Sequence, residues 1–176
     1  MELDTIIQLL SNPERLIKVS NKKFAIVDDS DFEKLNKFKW YLNTGYAVTA
    51  KYVKGSGRKN QKQIRILMHR LIINCKKGEI IDHINGNKLD NRKVNLRICN
   101  FSENIRNSSK RKNCISRFKG VSKLNKKWRC RLTLNYKEIH IGTFENEIQA
   151  AMAYDISSRD LYGEFAKLNF PNGLWN

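Results

Sequence analysis

The stretch IDHINGN, residues 81–87, decides how this chain is read. An acid, Asp82, stands beside a histidine, His83, after the apolar approach Ile80–Ile81. The pair then enters a small polar loop of Asn85, Gly86 and Asn87. Asn and Gly are turn formers, so the loop alone is an ordinary solvated turn. The acid–histidine pair at its mouth is not explained that way. Around it, EIIDHI reads as a strand, NGNKLDNRKVN as a long polar loop, LRIC as a second strand and FSENIRNSS as a helix. Asn100 is placed to cap that helix while Glu103 reaches back to the cap. MHRLII, just upstream, reads as a short helix. Strand, loop, strand and helix in so short a stretch form a compact ββα unit.

Adjacent residues on a regular strand point to opposite faces. Asp82 and His83 can act together only if the backbone twists where strand meets loop, and Asn85 and Gly86 lower the cost of that twist. Asn95, closing the loop, is placed to pin it by side-chain to backbone hydrogen bonds. A histidine near its ordinary pKa suits proton abstraction from water. A hard divalent cation that takes one or two protein oxygens suits phosphodiester chemistry. Asp82 and Asn104 can bring two oxygens to one cation if the strands pair and the helix folds across them.

The 176 residues include 34 Lys+Arg against 17 Asp+Glu, a net charge of +17 and a pI near 9.9. Such an excess points to a polyanionic partner, nucleic acid before an anionic membrane face. A hydrophobic content of 40% argues against a disordered basic tail. No apolar run is long enough to span a bilayer, and MELDTIIQLL is acidic and amphipathic rather than a signal peptide. The expectation is a soluble intracellular protein with no membrane partner. Cys75, Cys99, Cys114 and Cys130 contain no C-x-x-C pair, so free thiols are expected and zinc is disfavoured.

Three segments separate by pattern, joined by a short linker. Residues 1–66 read as a short helix followed by strands, with FAIVDD as one strand and WYLNTGYAVTAKYV as two meeting at Asn43-Thr44-Gly45. KGSGRKNQKQ (54–63) reads as a flexible basic loop. This segment shows no evident chemistry. Its acidic cluster reads as a helix start capped by Ser30 or Asp31. Residues 67–110 hold the ββα unit, and 111–115 form a basic linker suited to lie along a phosphate backbone. Residues 116–172 read as three strands and a helix. Trp128, Cys130, Leu132 and Leu134 alternate with Arg129, Arg131 and Thr133, and Asn135-Tyr136 turns into the third strand. Ala150, Ala153, Tyr154, Ser157 and Leu161 share the helix face expected to pack on the sheet.

The array DHINGN, NLR and SENIRN resembles the HNH motif of the ββα-metal nucleases, in the subgroup of phage and intron-encoded homing endonucleases. The resemblance implies His83 as general base, Asp82 and Asn104 as metal ligands, and Asn95 as the residue that holds the loop and orients the histidine. The metal implied is Mg²⁺, with Mn²⁺ as the alternative. MHR also resembles the family's lead-in, giving His69 and Arg70, with Arg106, as structural or phosphate-contacting residues. The third segment, from FKGVS through KWRCRLTLN and EIHIGTF to NFP, resembles the AP2 DNA-binding domain. That likeness implies a three-stranded antiparallel sheet packed on one helix, its open face reading double-stranded DNA in the major groove. Lys119, Ser122, Lys123, Arg129, Arg131, Thr133 and His140 are the DNA-binding residues it marks. Ser122, Leu124 and His140 stand where the plant domains carry arginine and tryptophan, which puts the plant recognition sequence in doubt.

Together these give an α+β chain: a β-rich lead-in, a ββα-metal module and an AP2-like module. The function expected is a metal-dependent DNA endonuclease of the homing type, in the cytoplasm or nucleoid of a bacterial or phage-infected cell. The rival is a non-catalytic AP2-type DNA-binding regulator with a structural HNH remnant. The intact set Asp82, His83, Asn95 and Asn104 argues against it. RNA is disfavoured as substrate, because sheet readers of RNA stack bases on exposed aromatics, whereas this face carries Arg and Thr.

Overall fold

The computed structural model describes residues 13–54, 61–110 and 114–173. The N-terminal amphipathic stretch, the centre of the basic loop and linker residues 111–113 lie outside them. The chain is α+β, built from small antiparallel sheets and short helices, and divides into two compact units, residues 1–99 and 100–176.

In the N-terminal unit, β1 (Glu14–Ser20) and β2 (Lys23–Asp28) form a hairpin, and β2 runs straight into α1 (Asp29–Asn36). Strands β3 (Tyr41–Asn43), β4 (Tyr46–Lys54) and β5 (Gln61–Leu67) make a sheet in that order. The turn between β3 and β4 places Thr44 at φ 48° and Gly45 at φ 88°, the two left-handed residues that a tight hairpin of matching twist requires. α2 (Met68–Ile73) follows β5 directly and ends on Asn74 in the left-handed conformation. β6 (Ile80–His83) then pairs with β7 (Leu96–Cys99), Ile80 opposite Cys99 and His83 opposite Leu96.

Ile17, Val27, Leu35, Trp40 and Met68 form the core, joined by Ile81 from β6 and Leu96 from β7. The hairpin carrying Asp82 and His83 is thus seated on the N-terminal strands by apolar burial. Removing Leu35 or Met68 from water, both fully buried, contributes about 2 kcal/mol each.

Two sequence expectations change here. Residues 61–63 of the basic tract open β5, paired with Tyr52–Lys54, because an edge strand needs only backbone partners on one side and tolerates polar side chains. The N-cap of α1 is Asp28, not Ser30 or Asp31. The acids near that end turn to the 84–95 loop instead. The Asp28 carboxylate accepts from the Lys93 backbone N–H at 2.8 Å, and Asp31 meets the Lys93 ammonium at 2.8 Å.

In the C-terminal unit, α3 (Phe101–Asn107) opens with a reciprocal cap. The Asn100 side chain accepts from the Glu103 N–H, and the Glu103 carboxylate accepts from the Asn100 N–H. β8 (Val121–Leu124), β9 (Lys127–Leu134) and β10 (Lys137–Phe144) follow in the order β10-β9-β8, and α4 (Glu147–Tyr162) covers one face. Gly120 lets the sheet and helix approach. At φ 75°, an added Cβ would fall 1.9 Å from Cδ2 of Tyr154.

The inward face of α4 differs from expectation. Ala150, Ala151, Tyr154, Asp155, Ser158 and Tyr162 are buried, whereas Leu161 is exposed. Polar anchoring sets this rotation. The Asp155 carboxylate accepts from the backbone N–H groups of Asn169 and Phe170, each at 2.8 Å. The Tyr162 hydroxyl accepts from Thr133 N–H at 2.9 Å and donates to its carbonyl at 2.7 Å.

Candidate functional site

The site is built around the 84–95 loop, which is tied at every step. Asn95 Oδ1 accepts from Asn85 N–H at 2.9 Å, its Nδ2 donates to the Asp90 carbonyl at 2.7 Å, and its own carbonyl accepts from Ile84 N–H at 2.9 Å. One asparagine thereby holds both limbs of the loop. Asn85 and Asn87 each accept from a backbone N–H two residues on, the local turn chemistry of asparagine. Asp90, 2% exposed, takes the Arg92 guanidinium in a fork, Nε at 2.8 Å and Nη2 at 2.7 Å, and Asn85 Nδ2 at 2.8 Å. Strand β2 grips the same loop. Ile26 donates to the Leu89 carbonyl and accepts from Asn91 N–H, both at 2.8 Å.

His83, 5% exposed, ends β6 under this loop. Its ring lies edge-on to His69 at 5.0 Å between centroids, and Tyr46 stands 5.4 Å from His69 and 6.0 Å from His83. Burial lowers the His83 pKa despite the upward pull of the Asn91 side chain, Asp82 and Asp90, with Lys88 adding to the lowering. The neutral imidazole is therefore its form at neutral pH, with a lone pair available for a proton. His69 is pushed down to about 3, by burial first and then by His83 and Arg70. Arg70 donates to the carbonyls of Glu79 and Lys76, each at 2.8 Å, and so fastens the approach to β6.

Asp82 lies opposite Arg97 in the β6–β7 register, and both are nearly buried. Arg97 donates to Asp82 Oδ2 from Nε at 3.1 Å and from Nη2 at 2.8 Å, which anchors that oxygen with two charge-assisted bonds. No group of three His, Cys, Asp or Glu side chains able to hold a metal occurs among the described residues.

Residues 67–106 match the HNH endonuclease family. The chain is also 33% identical over 150 residues to an uncharacterized HNH endonuclease of Acanthamoeba polyphaga mimivirus, covering 83% of this chain and 74% of that one. This chain belongs to the HNH endonuclease family. It is a nuclease, and members of the family generally use a divalent metal ion and act on DNA. A shorter likeness, 45% over 38 residues, joins 22% of this chain to 16% of the dehydration-responsive element-binding protein 2E of Arabidopsis thaliana. No helix among the described residues is long and apolar enough to cross a membrane.

The family match runs past Cys99 into α3, so the HNH segment spans the division between the two units. Asn104 is half-buried on α3, its N–H donating to the Asn100 carbonyl at 3.0 Å. Arg106 stacks 5.0 Å over the Tyr162 ring. Lys119 directs its ammonium at the last carbonyls of α3, Arg106 and Ser108, while its backbone is held on both sides by the Asn169 amide. A cation at a helix C-terminus is favourable. Burial and then Lys167 lower this ammonium to about 8.

On the sheet, cross-strand pairs align Ser122 with Arg129, Arg129 with Thr143, Arg131 with His140, and Thr133 with Glu138. Arg131 also bridges diagonally to Glu138 at 2.8 Å. This is the face turned from α4. Lys123 pairs with Trp128 on the other face, its ammonium 4.3 Å over the indole.

Sequence reasoning passed over Tyr46, Lys88, Asp90, Arg92 and Arg97. The Asp82–Arg97 pairing could have been read from the strand register once β6 and β7 were placed. Tyr46 could not, because only the tertiary packing of β4 beside α2 and β6 brings it to His83.

Proposed function

We propose that the protein is a metal-dependent DNA endonuclease of the homing type, in which His83 is the general base. The observation that carries this reading is the placement of His83. It is buried, neutral and fixed at the end of a strand beside Asp82, under a loop that Asn95 ties at both limbs. Asn95 acts by holding that loop, so the imidazole keeps one orientation toward water. Asp82 and Asn104 would each offer an oxygen to the metal. One carboxylate and one amide oxygen suit Mg²⁺ or Mn²⁺, which keep several waters, better than zinc. When bound, the ion neutralises charge on the phosphate and the leaving oxygen. Arg97 anchors one oxygen of the Asp82 carboxylate. His69, neutral and edge-on to His83, limits its rotation.

The ββα-metal and AP2 architectures follow from the same reading. In chain order β6, β7 and α3 are the elements of the first, and β8–β10 with α4 those of the second. The sheet face bearing Ser122, Arg129, Arg131, Thr133 and His140 selects the site in double-stranded DNA, in line with the short likeness to the dehydration-responsive element-binding protein 2E. Lys119 serves α3, and Lys123 works from the edge strand toward the backbone phosphates.

The test is supercoiled plasmid incubated with wild type and His83→Ala, each with Mg²⁺ and with EDTA. Conversion to open circle by wild type alone, and only with metal, is expected. If neither protein nicks under any divalent ion while both still shift DNA in a gel, the protein is a DNA-binding regulator without catalysis.

A further inference from the structure

Lys88 stands five residues beyond His83 on the fixed loop, and its setting differs from that of the paired acids around it. Asp82 is matched by Arg97, Asp90 by Arg92, and Asp31 by Lys93. Lys88 has no carboxylate partner among the described residues. It is held by neutral groups alone: the Thr44 carbonyl at 3.2 Å and the Tyr46 ring face at 4.3 Å. Gly45 completes the seat, since an added Cβ there would come within 3.2 Å of the Lys88 Cδ. Tyr46 is the same ring that packs beside His83 and His69. The β3–β4 turn therefore seats a positive charge, not matched by a carboxylate among the described residues, on the ring that packs against His83.

A carbonyl uses one of the three N–H donors of an ammonium, leaving two. Holding a lysine against a ring and a carbonyl costs side-chain entropy that a freely solvated surface lysine does not lose. A preorganised cation whose charge is not spent on a neighbour is what a reaction that builds negative charge requires.

We propose that Lys88 is a catalytic residue, its ammonium contacting a non-bridging oxygen of the scissile phosphate while His83 activates water. This rests on the nuclease reading of His83. The sequence contains the lysine in the loop, but only the hairpin turn at Thr44-Gly45 reveals that it is aimed.

Single-turnover cleavage by wild type, Lys88→Ala, Lys88→Met and Lys88→Arg tests it, with urea unfolding midpoints measured alongside. Loss of one preorganised donor lowers the rate about a hundredfold. Lys88→Ala and Lys88→Met should show that loss in the rate at saturating enzyme, with the half-saturating concentration and the midpoint nearly unchanged. Lys88→Arg should recover most of it, because charge and reach are kept. A rate for Lys88→Ala within about threefold of wild type overturns the proposal. So does equal loss in Lys88→Arg accompanied by a fall in midpoint, which would make Lys88 a strut of the loop. If wild type itself fails to cleave with any divalent ion, the nuclease reading fails first and takes this inference with it.

Discussion

Arg92→Ala should destabilise the N-terminal unit by about 3 kcal/mol at neutral pH, and the size follows from the Asp90 site. Asp90 is 2% exposed and takes the Arg92 guanidinium in a two-point fork. Truncation leaves it the Asn85 amide as side-chain partner. Breaking a buried ion pair by removing one member costs about 3–5 kcal/mol. The lower end applies because the Arg92 side chain is 32% exposed and water can partly replace it. The companion contact from Arg92 Nη1 to Glu14, at 2.9 Å on a side chain 57% exposed, adds little.

The pH dependence is a second signature. Burial alone would raise the Asp90 pKa, but the Arg92 hydrogen bonds and charge, with the Asn85 amide, hold it below the usual carboxylate value. A depressed folded pKa gives stability that is fully present above the unfolded value, about 3.9, and lost as pH falls through the folded one. Urea unfolding should therefore show the gap between wild type and variant in full at neutral pH and narrowing as the solution is acidified below about pH 4. A gap under about 1 kcal/mol at neutral pH, or one that does not shrink with acid, would refute the reasoning.

Asn95→Ala removes the side-chain bonds to the Asn85 N–H and the Asp90 carbonyl and should cost about 2 kcal/mol along with most of the nicking rate; urea midpoints and plasmid nicking read both, and unaltered nicking would show that the loop holds itself. Gly120→Ala puts a methyl group into the Tyr154 ring at a left-handed position, and calorimetry should show a loss of about 3 kcal/mol or more in the C-terminal unit; a shift under about 1 kcal/mol would mean that Tyr154 can move. Arg129→Ala or Arg131→Ala should weaken binding to the cognate site while metal-dependent nicking of random DNA at high enzyme stays largely intact. Equal loss of both would end the assignment of recognition to the sheet.

Much of the backbone plan was legible in the sequence because it depends on local chemistry. The strands of the C-terminal sheet follow from two-residue alternation, and the start of α3 follows from Asn100 and Glu103, whose reciprocal cap needs only spacing. The turn at Thr44-Gly45 follows likewise from residues that accept positive φ. The 84–95 loop was visible as a loop, but not what grips it. Ile26, Asp28 and Glu14 lie far away in sequence, and no periodicity links an acidic helix start to the backbone N–H of Lys93. The face of α4 was read one step off, since apolar spacing ignores a buried carboxylate such as Asp155 that has backbone donors to satisfy. The seat of Lys88 lay beyond reach for the same reason: the lysine is exposed in a polar loop, and only the neighbouring turn supplies the carbonyl and ring on which it rests.

The hold of Lys119 on α3 bears on how such enzymes can be recombined. A graft that joins the HNH segment to a different C-terminal module after residue 110 would leave the Arg106 and Ser108 carbonyls without their ammonium and Arg106 without the Tyr162 ring. The helix bearing Asn104 would then fray from its C-terminal end. A working exchange has either to carry residues 100–173 as one piece or to supply an equivalent cation from the incoming module. The division between the two compact units falls at the Cys99–Asn100 junction, inside the family match rather than at its edge.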